Sequence, residues 1–358
     1  MNLRDRTSTT KFPELLVGSE EIDFRRFKEL RASTPDNLVF DQYHQQVIDL
    51  ILGRNPHLDE TDPQIDSLVK EYLAGSSAAE KGTWVHYPWN SRLVHILNEK
   101  EFAEVRTSRN LFKITRAEQD ILHTKKIGIV GLSVGQSAAL VLALQRSFGE
   151  LRLADFDQLK LTNLNRIRAG LHQLGMPKID IAAREIWETD PFLKLSFYEE
   201  GITIENLEEF VLGNGPLDVI IDECDSIAIK LALRRIAQKN RIPVVMETSD
   251  RGMLDIERFD LYPDLPIFHG KLEGPVSPEQ LLIENPKELV LRIIDPSQAS
   301  QRGAYSLTKM GSEIRTWPQL AEDVLLGGAS AAKACRNILL GNPVKTGRHY
   351  IDIDEIIA

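Results

Sequence analysis

Cysteine is nearly absent: the 358-residue chain has two, Cys224 and Cys335. That excludes a disulfide framework and a Cys-x-x-Cys zinc pair, and both thiols read as small core residues rather than reactive groups. Long apolar runs are missing too. None approaches the ~18 residues that cross a bilayer, and the opening MNLRDRTSTTKF lacks a signal peptide's apolar core. The default compartment is the cytoplasm. Positive charge is in deficit, and the net charge of −10 argues against non-specific binding to nucleic acid or an anionic membrane. A strict G-x-G-x-x-G is lacking, as are internal repeats and low-complexity tracts. What remains is an ordinary globular composition, 42% apolar and 27% charged. Its length suits two domains, or one large α/β domain with an extension.

The segment 126–178 organises the rest. An apolar run at 127–130 meets the small-residue turn Gly131-Leu-Ser-Val-Gly135 and then an Ala-rich helical segment. A second apolar run, 151–154, ends on Asp155 and Asp157. Strand, turn, helix and strand in that order aim backbone N–H groups and a positive helix end at one point, which suits a phosphate. An acid closing the second strand suits a ribose hydroxyl. Ser133 and Gln136 stand where a dinucleotide fingerprint has glycines, so a nicotinamide oxidoreductase fits badly, although Asp155 follows Gly131 by 24 residues.

Residues 1–100 have a different texture. Two amphipathic stripes predict helices at 41–53 and from Pro63 to a stop at Gly75, and aromatic, β-branched runs at 84–87 and 92–97 predict a hairpin. Trp84, Tyr87 and Trp89 read as core packing or a domain seam, with a peptide-binding surface as the alternative. His86 and His95 are too scattered to be metal ligands. A charged helix at 99–110 carries Arg106 and Arg109. Beyond 178, helices near 179–189, 204–212 and 226–239 alternate with strands near 195–198, 217–221 and 244–247. An extended segment at 253–262, short helices at 277–283 and 286–293, a long helix from Pro318 to Leu340 and a last strand at 350–353 complete the chain. The fold class is therefore α/β: a Rossmann-like, mostly parallel sheet with helices on both faces, plus a small N-terminal α+β accessory domain. The division reads as 1–100 and 101–358.

The set downstream of the turn is more specific than its glycines. Asp155-Phe-Asp157 precedes Thr162-Asn163-Leu-Asn-Arg166 and then Lys178, cations suited to a triphosphate. Asp225 follows the strand ending at Asp222, where it suits Mg²⁺ or, alternatively, the cap of the helix that begins at Ser226. This order of strand, Gly turn, D-F-D, N-L-x-R, P-K and C-D resembles the ThiF/MoeB and ubiquitin-activating enzymes, which adenylate a carboxylate with ATP and Mg²⁺. The resemblance implies that Gly131, Ser133 and Gly135 approach the phosphates, that Asp155, with Asp157 beside it, serves ribose, and that Asn163, Arg166 and Lys178 hold the triphosphate. It further implies that Asp225 binds Mg²⁺ and that an arginine, Arg109 before Arg106, acts in trans across a homodimer. No family zinc pair or catalytic cysteine is present, and Ile167 replaces a glutamine common after the arginine. The N-terminal extension is similar to that of the family's peptide-modifying branch, the microcin C and pantocin maturation enzymes. The expected substrate is thus a peptide or small protein, with Asp250, Arg251 and Glu257 as candidate contacts or, alternatively, members of surface salt bridges. Adenylation of a sulfur-carrier or ubiquitin-like C-terminus and a non-catalytic nucleotide-binding module are the alternatives.

Overall fold

Two sheets organise the computed structural model, which describes residues 11–17, 21–74 and 81–358. They belong to two units, 2–116 with 187–192, and 117–186 with 193–358. The expected stop at Gly75 and the opening residues 1–10 lie outside the described residues.

The N-terminal unit runs β1 (Glu14–Val17), α1 (Glu21–Ser33), β2 (Val39–Asp41), α2 (Tyr43–Arg54), α3 (Gln64–Leu73), β3 (Thr83–Tyr87), β4 (Arg92–Ile96) and α4 (Glu99–Arg106). The expected hairpin is present, with β3 and β4 antiparallel and Val85 opposite Val94. β1 and β2 flank it in the order β1-β3-β4-β2, and β2 pairs parallel to β4. The stripe of α2, Tyr43, Val47, Leu50 and Ile51, packs with Ile65 and Val69 of α3 and with Leu97 into one buried cluster. Phe102 and Val105 of α4 close over it, and Arg54 grips Glu104 with two bonds of 2.9 and 2.8 Å. These contacts put residues 101–116 in this unit rather than after a boundary at 100. Trp84 and Tyr87 are buried, and His95 is fully buried between the rings of Tyr43 and Trp84, 4.6 and 4.3 Å away. It is a packed core histidine.

The second unit opens with α5 (Arg116–Leu122), β5 (Lys126–Val130), α6 (Gly135–Leu144), β6 (Glu150–Ala154), α7 (Lys178–Thr189), β7 (Lys194–Tyr198), α8 (Leu207–Leu212) and β8 (Val219–Asp222). It continues with α9 (Ile227–Lys239), β9 (Val244–Thr248), β10 (Met253–Glu257), α10 (Pro278–Glu284), α11 (Pro286–Ile294), α12 (Gln301–Lys309), α13 (Ala321–Leu339), β11 (Gly347–Tyr350) and α14 (Ile353–Ile357). The seven strands lie in the order β11-β10-β9-β8-β5-β6-β7. From β9 to β7 all neighbours are parallel, whereas β10 runs antiparallel to both β9 and β11. The apolar runs of β5 and β8 are buried throughout because helices cover both faces.

Charge is buried where β10 joins. Glu257 is fully buried and accepts from Arg234 Nε at 2.5 Å, while the same guanidinium also pairs with Asp222. Burial alone would raise the Asp222 carboxyl, but Lys230 and Arg234 hold it at about 2. Removing one partner of such a network leaves an uncompensated buried charge.

Helix α13 crosses α6 at very short range, and Gly328 makes that possible. A Cβ there would lie 2.4 Å from Ser137 Cβ and 2.8 Å from the Ala138 nitrogen. Gly328→Ala should therefore cost about 1–3 kcal/mol through forced separation of the helices. Gly53→Ala, whose Cβ meets nothing within 4 Å, should gain about 0.5–1 kcal/mol from helix propensity. Urea unfolding midpoints check both signs; a Gly328→Ala midpoint at or above wild type contradicts the packing argument.

Candidate nucleotide site

The site begins where β5 ends. Gly131 takes φ +91°, and a Cβ on it would lie 2.5 Å from the Glu223 carbonyl, so only glycine fits. Its N–H donates to the Ala154 carbonyl at 2.8 Å. The Leu132 N–H donates to Asp155 Oδ2 at 2.6 Å and the Asp157 N–H to Asp155 Oδ1 at 2.7 Å. One carboxylate thus fastens the turn after β5 to the turn after β6. Burial raises the Asp155 carboxyl, against the opposing pull of Lys178 and these two amides. Helix α6 then starts at Gly135 without a side-chain cap. The positive end of its dipole suits an anion.

The cations converge around that helix end. Lys178 opens α7, is 6% exposed, and places Nζ 2.7 Å from Asp157 Oδ2, whose side chain is 46% exposed. Of the two acids, Asp157 is the more open and Asp155 the more buried. Arg166 Nη2 donates to Ser133 Oγ at 3.1 Å, while Nη1 donates to the Thr162 carbonyl at 3.3 Å and Asn165 Oδ1 at 2.9 Å. Its Nε is buried and has no partner. Burial lowers the Arg166 pKa, and the charge of Asp225 opposes that shift. Asn163 shapes the loop: its Oδ1 accepts from the Lys160 N–H at 2.9 Å, and its carbonyl accepts from the Arg166 and Ile167 amides at 3.1 and 2.8 Å. Ile167 is buried with Leu159 and Ile181, pinning the loop to α7.

Asp225 is exposed just beyond β8, and it is not the helix cap. Ser226 holds that role, its side chain accepting from the Ile229 N–H at 3.4 Å. The structure therefore brings Gly131, Ser133, Gly135, Asp155, Asp157, Asn163, Arg166, Lys178 and Asp225 to the carboxyl ends of β5, β6 and β8. Arg109 lies in the N-terminal unit, exposed in the short turn Ser108–Asn110, and Arg106 there meets Asp190 at 3.8 Å.

The three candidate substrate contacts are engaged elsewhere, which corrects that expectation. Glu257 is buried against Arg234 and the Phe268 N–H. Arg251 pairs with Asp352 and Glu355, both at 2.6 Å, and Asp250 binds the amide and hydroxyl of Ser300 at 2.8 and 2.6 Å. These are intramolecular ties. Cys335 is buried, and burial pushes both its thiol and that of Cys224 upward, so neither is an activated nucleophile.

Two further carboxyls were missed. Glu247 is 4% exposed, neither of its oxygens has a partner, and its N–H donates to Glu223 Oε1 at 3.0 Å. The signal was an acid inside the otherwise apolar strand Val-Val-Met-Glu. Among the described residues, no cluster of three or more His, Cys, Asp or Glu is arranged to hold a metal, and no helix is long and apolar enough to cross a membrane.

Residues 107–259 match the model of the ThiF family. Uncharacterized protein MT1398 of Mycobacterium tuberculosis (strain CDC 1551 / Oshkosh) is 43% identical over 281 residues, 78% of this chain and 39% of the relative. A tRNA threonylcarbamoyladenosine dehydratase of Bacillus subtilis (strain 168) is 30% identical over 156 residues, 43% of this chain and 60% of the relative. The chain thus spans less than two thirds of the length of these relatives. The solved structure of E. coli MccB with MccA-N7isoASN superposes with a TM-score of 0.50 and 14% identity, over 85% of this chain and 82% of that one. That likeness concerns the fold alone.

Burial lifts the Glu247 carboxyl from 4.5 to about 8, with the charge of Asp323 adding to it. The folded state therefore keeps a proton that the unfolded chain releases, so stability falls as pH rises from 4.5 towards about 8. Glu247→Gln should flatten that slope and exceed wild type in stability at pH 8. Parallel slopes for the two proteins in denaturant unfolding across this range would contradict the assignment.

Proposed function

Because residues 107–259 match the ThiF family model, we propose that the chain is an adenylating enzyme of ThiF/MoeB type that transfers AMP from ATP to a substrate carboxylate and releases pyrophosphate. The carboxylate is carried by a ribosomally made peptide and, once activated, is attacked by a peptide nitrogen. The carrying observation is the Arg166 guanidinium: bound to Ser133 in the glycine turn, acted on by Asp225, and left with an unpartnered, buried Nε.

The site fits its nucleotide and metal. Gly131 and Gly135 let the turn pack closely on the sheet, since a Cβ on the first would lie 2.5 Å from the Glu223 carbonyl and on the second 2.7 Å from Ile129 Cγ2. Asp155, with the more open Asp157 beside it, serves the ribose hydroxyls. Asp225 fits Mg²⁺, which is commonly held by one or two carboxylates together with substrate phosphates. When bound, the metal supplies positive charge to the phosphate oxygens. Lys178 and Arg166 hold the triphosphate and offset the negative charge that develops as the carboxylate attacks the α-phosphate. Proton transfer from a protein nucleophile is not required, in keeping with the two raised thiols. That counts against a thioester or sulfur relay through this chain, while adenylation of a sulfur-carrier or ubiquitin-like C-terminus, which needs no thiol, is the runner-up. The intact Arg166, Lys178 and Asp225 set counts against a non-catalytic nucleotide module. The enzyme acts as a homodimer in which Arg109 of one protomer serves the site of the other.

ATP–pyrophosphate exchange in the presence of candidate peptides and carrier proteins tests the reaction. Exchange should require a free carboxylate; tight NAD binding with no exchange for any substrate would sink the reading. Asp225→Asn should abolish exchange with an unchanged circular dichroism spectrum, and full activity would remove the metal role. For Arg109, mixed dimers of Arg109→Ala and Lys178→Ala chains should regain up to about a quarter to half of wild-type exchange, as each hybrid holds one intact composite site. No recovery in demonstrated hybrids would refute action in trans.

A further inference from the structure

Asn165 connects Arg166 to the segment before α13. Its Oδ1 accepts from Arg166 Nη1 at 2.9 Å, and its Nδ2 donates to the Gln319 carbonyl at 2.7 Å. The Gln319 side chain in turn donates from Nε2 to Ser249 Oγ at 3.2 Å, just past the end of β9. Ser249 is buried. The relay thus runs from the loop after β6, through the segment before α13, to the edge of β9.

A guanidinium offers donors in one plane, and which edge meets an anion depends on what fixes that plane. Here Nη1 is engaged by Thr162 and Asn165 and Nη2 by Ser133, which leaves the second N–H of Nη2 and the buried Nε without a protein partner. The Thr162 contact, at 3.3 Å, is the longest of the three. Asn165 makes the shortest and is the one with a second anchor. It is also exposed, so truncating it opens no core cavity.

We propose that Asn165 is a positioning residue: it sets the plane of the Arg166 guanidinium, and so which of its N–H donors are offered to the outer phosphates of ATP, and the Gln319–Ser249 relay fixes Asn165 in turn. This rests on the adenylation reading, since it needs a nucleotide whose β- and γ-phosphates reach Arg166. It adds a determinant between the leucine and the arginine of N-L-x-R, and it ties the residues before α13 to phosphate binding.

Calorimetric titration of Mg·ATP and of AMP tests the role. Asn165→Ala should weaken ATP about tenfold and AMP less than about twofold, because AMP lacks the phosphates that Arg166 meets. Gln319→Leu keeps the carbonyl but loses the anchor, and should weaken ATP in the same direction by less. In an Arg166→Ala background, Asn165→Ala should have no further effect on ATP, because the two act as one unit. Equal losses for ATP and AMP, an unchanged ATP affinity, or full additivity with Arg166→Ala would overturn the positioning role. If wild type binds ATP and Asn165→Ala binds it equally well, only this inference falls. A wild-type protein that binds neither nucleotide overturns the adenylation reading with it.

Discussion

The Asp155 carboxylate accepts two amide hydrogen bonds from two different turns, and the geometry of the site depends on it. Each such bond to a charged acceptor contributes about 1.5–3 kcal/mol, more than an ordinary turn residue supplies. The Leu132 amide fixes the glycine turn after β5, and the Asp157 amide fixes the chain leaving β6. Because Asp157 is held this way, its own carboxylate points outward to Lys178, 2.7 Å off. The helix end, the open acid and the lysine are therefore set by one buried group, whose burial is tolerable only because both of its oxygens are satisfied.

The far side of the cleft depends on a different kind of tie. Strand β10 brings Asp255 and Glu257 into the interior, where His269, Arg348 and Arg234 meet them. The Phe268 amide and the His269 ring hold the segment after β10 to that strand. Asp250 and Arg251 then fasten the start of α12 and the start of α14. Buried pairs of this kind contribute little net stability against an apolar alternative, yet breaking one is expensive. Their effect is to give an irregular stretch one arrangement, so that Gln319 reaches both Ser249 and Asn165.

Elements with a strong period were legible in the sequence, and elements without one were not. The β5–α6–β6 unit, α2, α3 and the hairpin follow from apolar spacing alone. Strand β1 was missed because only Leu16 of Glu14–Val17 is buried, which leaves no alternation to read. Helix α1 carries charge on most of its surface, and its apolar residues are sparse. The last strand was expected at 350–353 but ends at Tyr350, because Asp352 caps a helix there, accepting from the Asp354 and Glu355 amides. The long helix starts at Ala321 rather than Pro318. At the strand ends, the clustering of these residues was readable but their burial was not. Nothing local distinguishes Asp155 from Asp157; the difference comes from which amides the fold carries past each. Arg251 and Glu257 looked available for a substrate because their partners, Asp352 and Arg234, are distant in sequence.

The substitutions in the glycine pattern follow from the same logic. A dinucleotide turn uses glycine at each close approach of backbone to phosphate or helix to strand. Here glycine survives at 131 and 135, where a Cβ would strike Glu223 or Ile129. Ser133 replaces a glycine and uses its hydroxyl to accept from Arg166. Gln136 replaces another, is buried, and donates to the Arg168 carbonyl and to Glu185 at 3.2 and 3.3 Å. Both side chains bind the loop that carries Arg166. A turn built to let a pyrophosphate lie against bare backbone has no use for such contacts. One that must present a cation to a triphosphate does, so the departures from the fingerprint and the presence of Arg166 are a single structural feature.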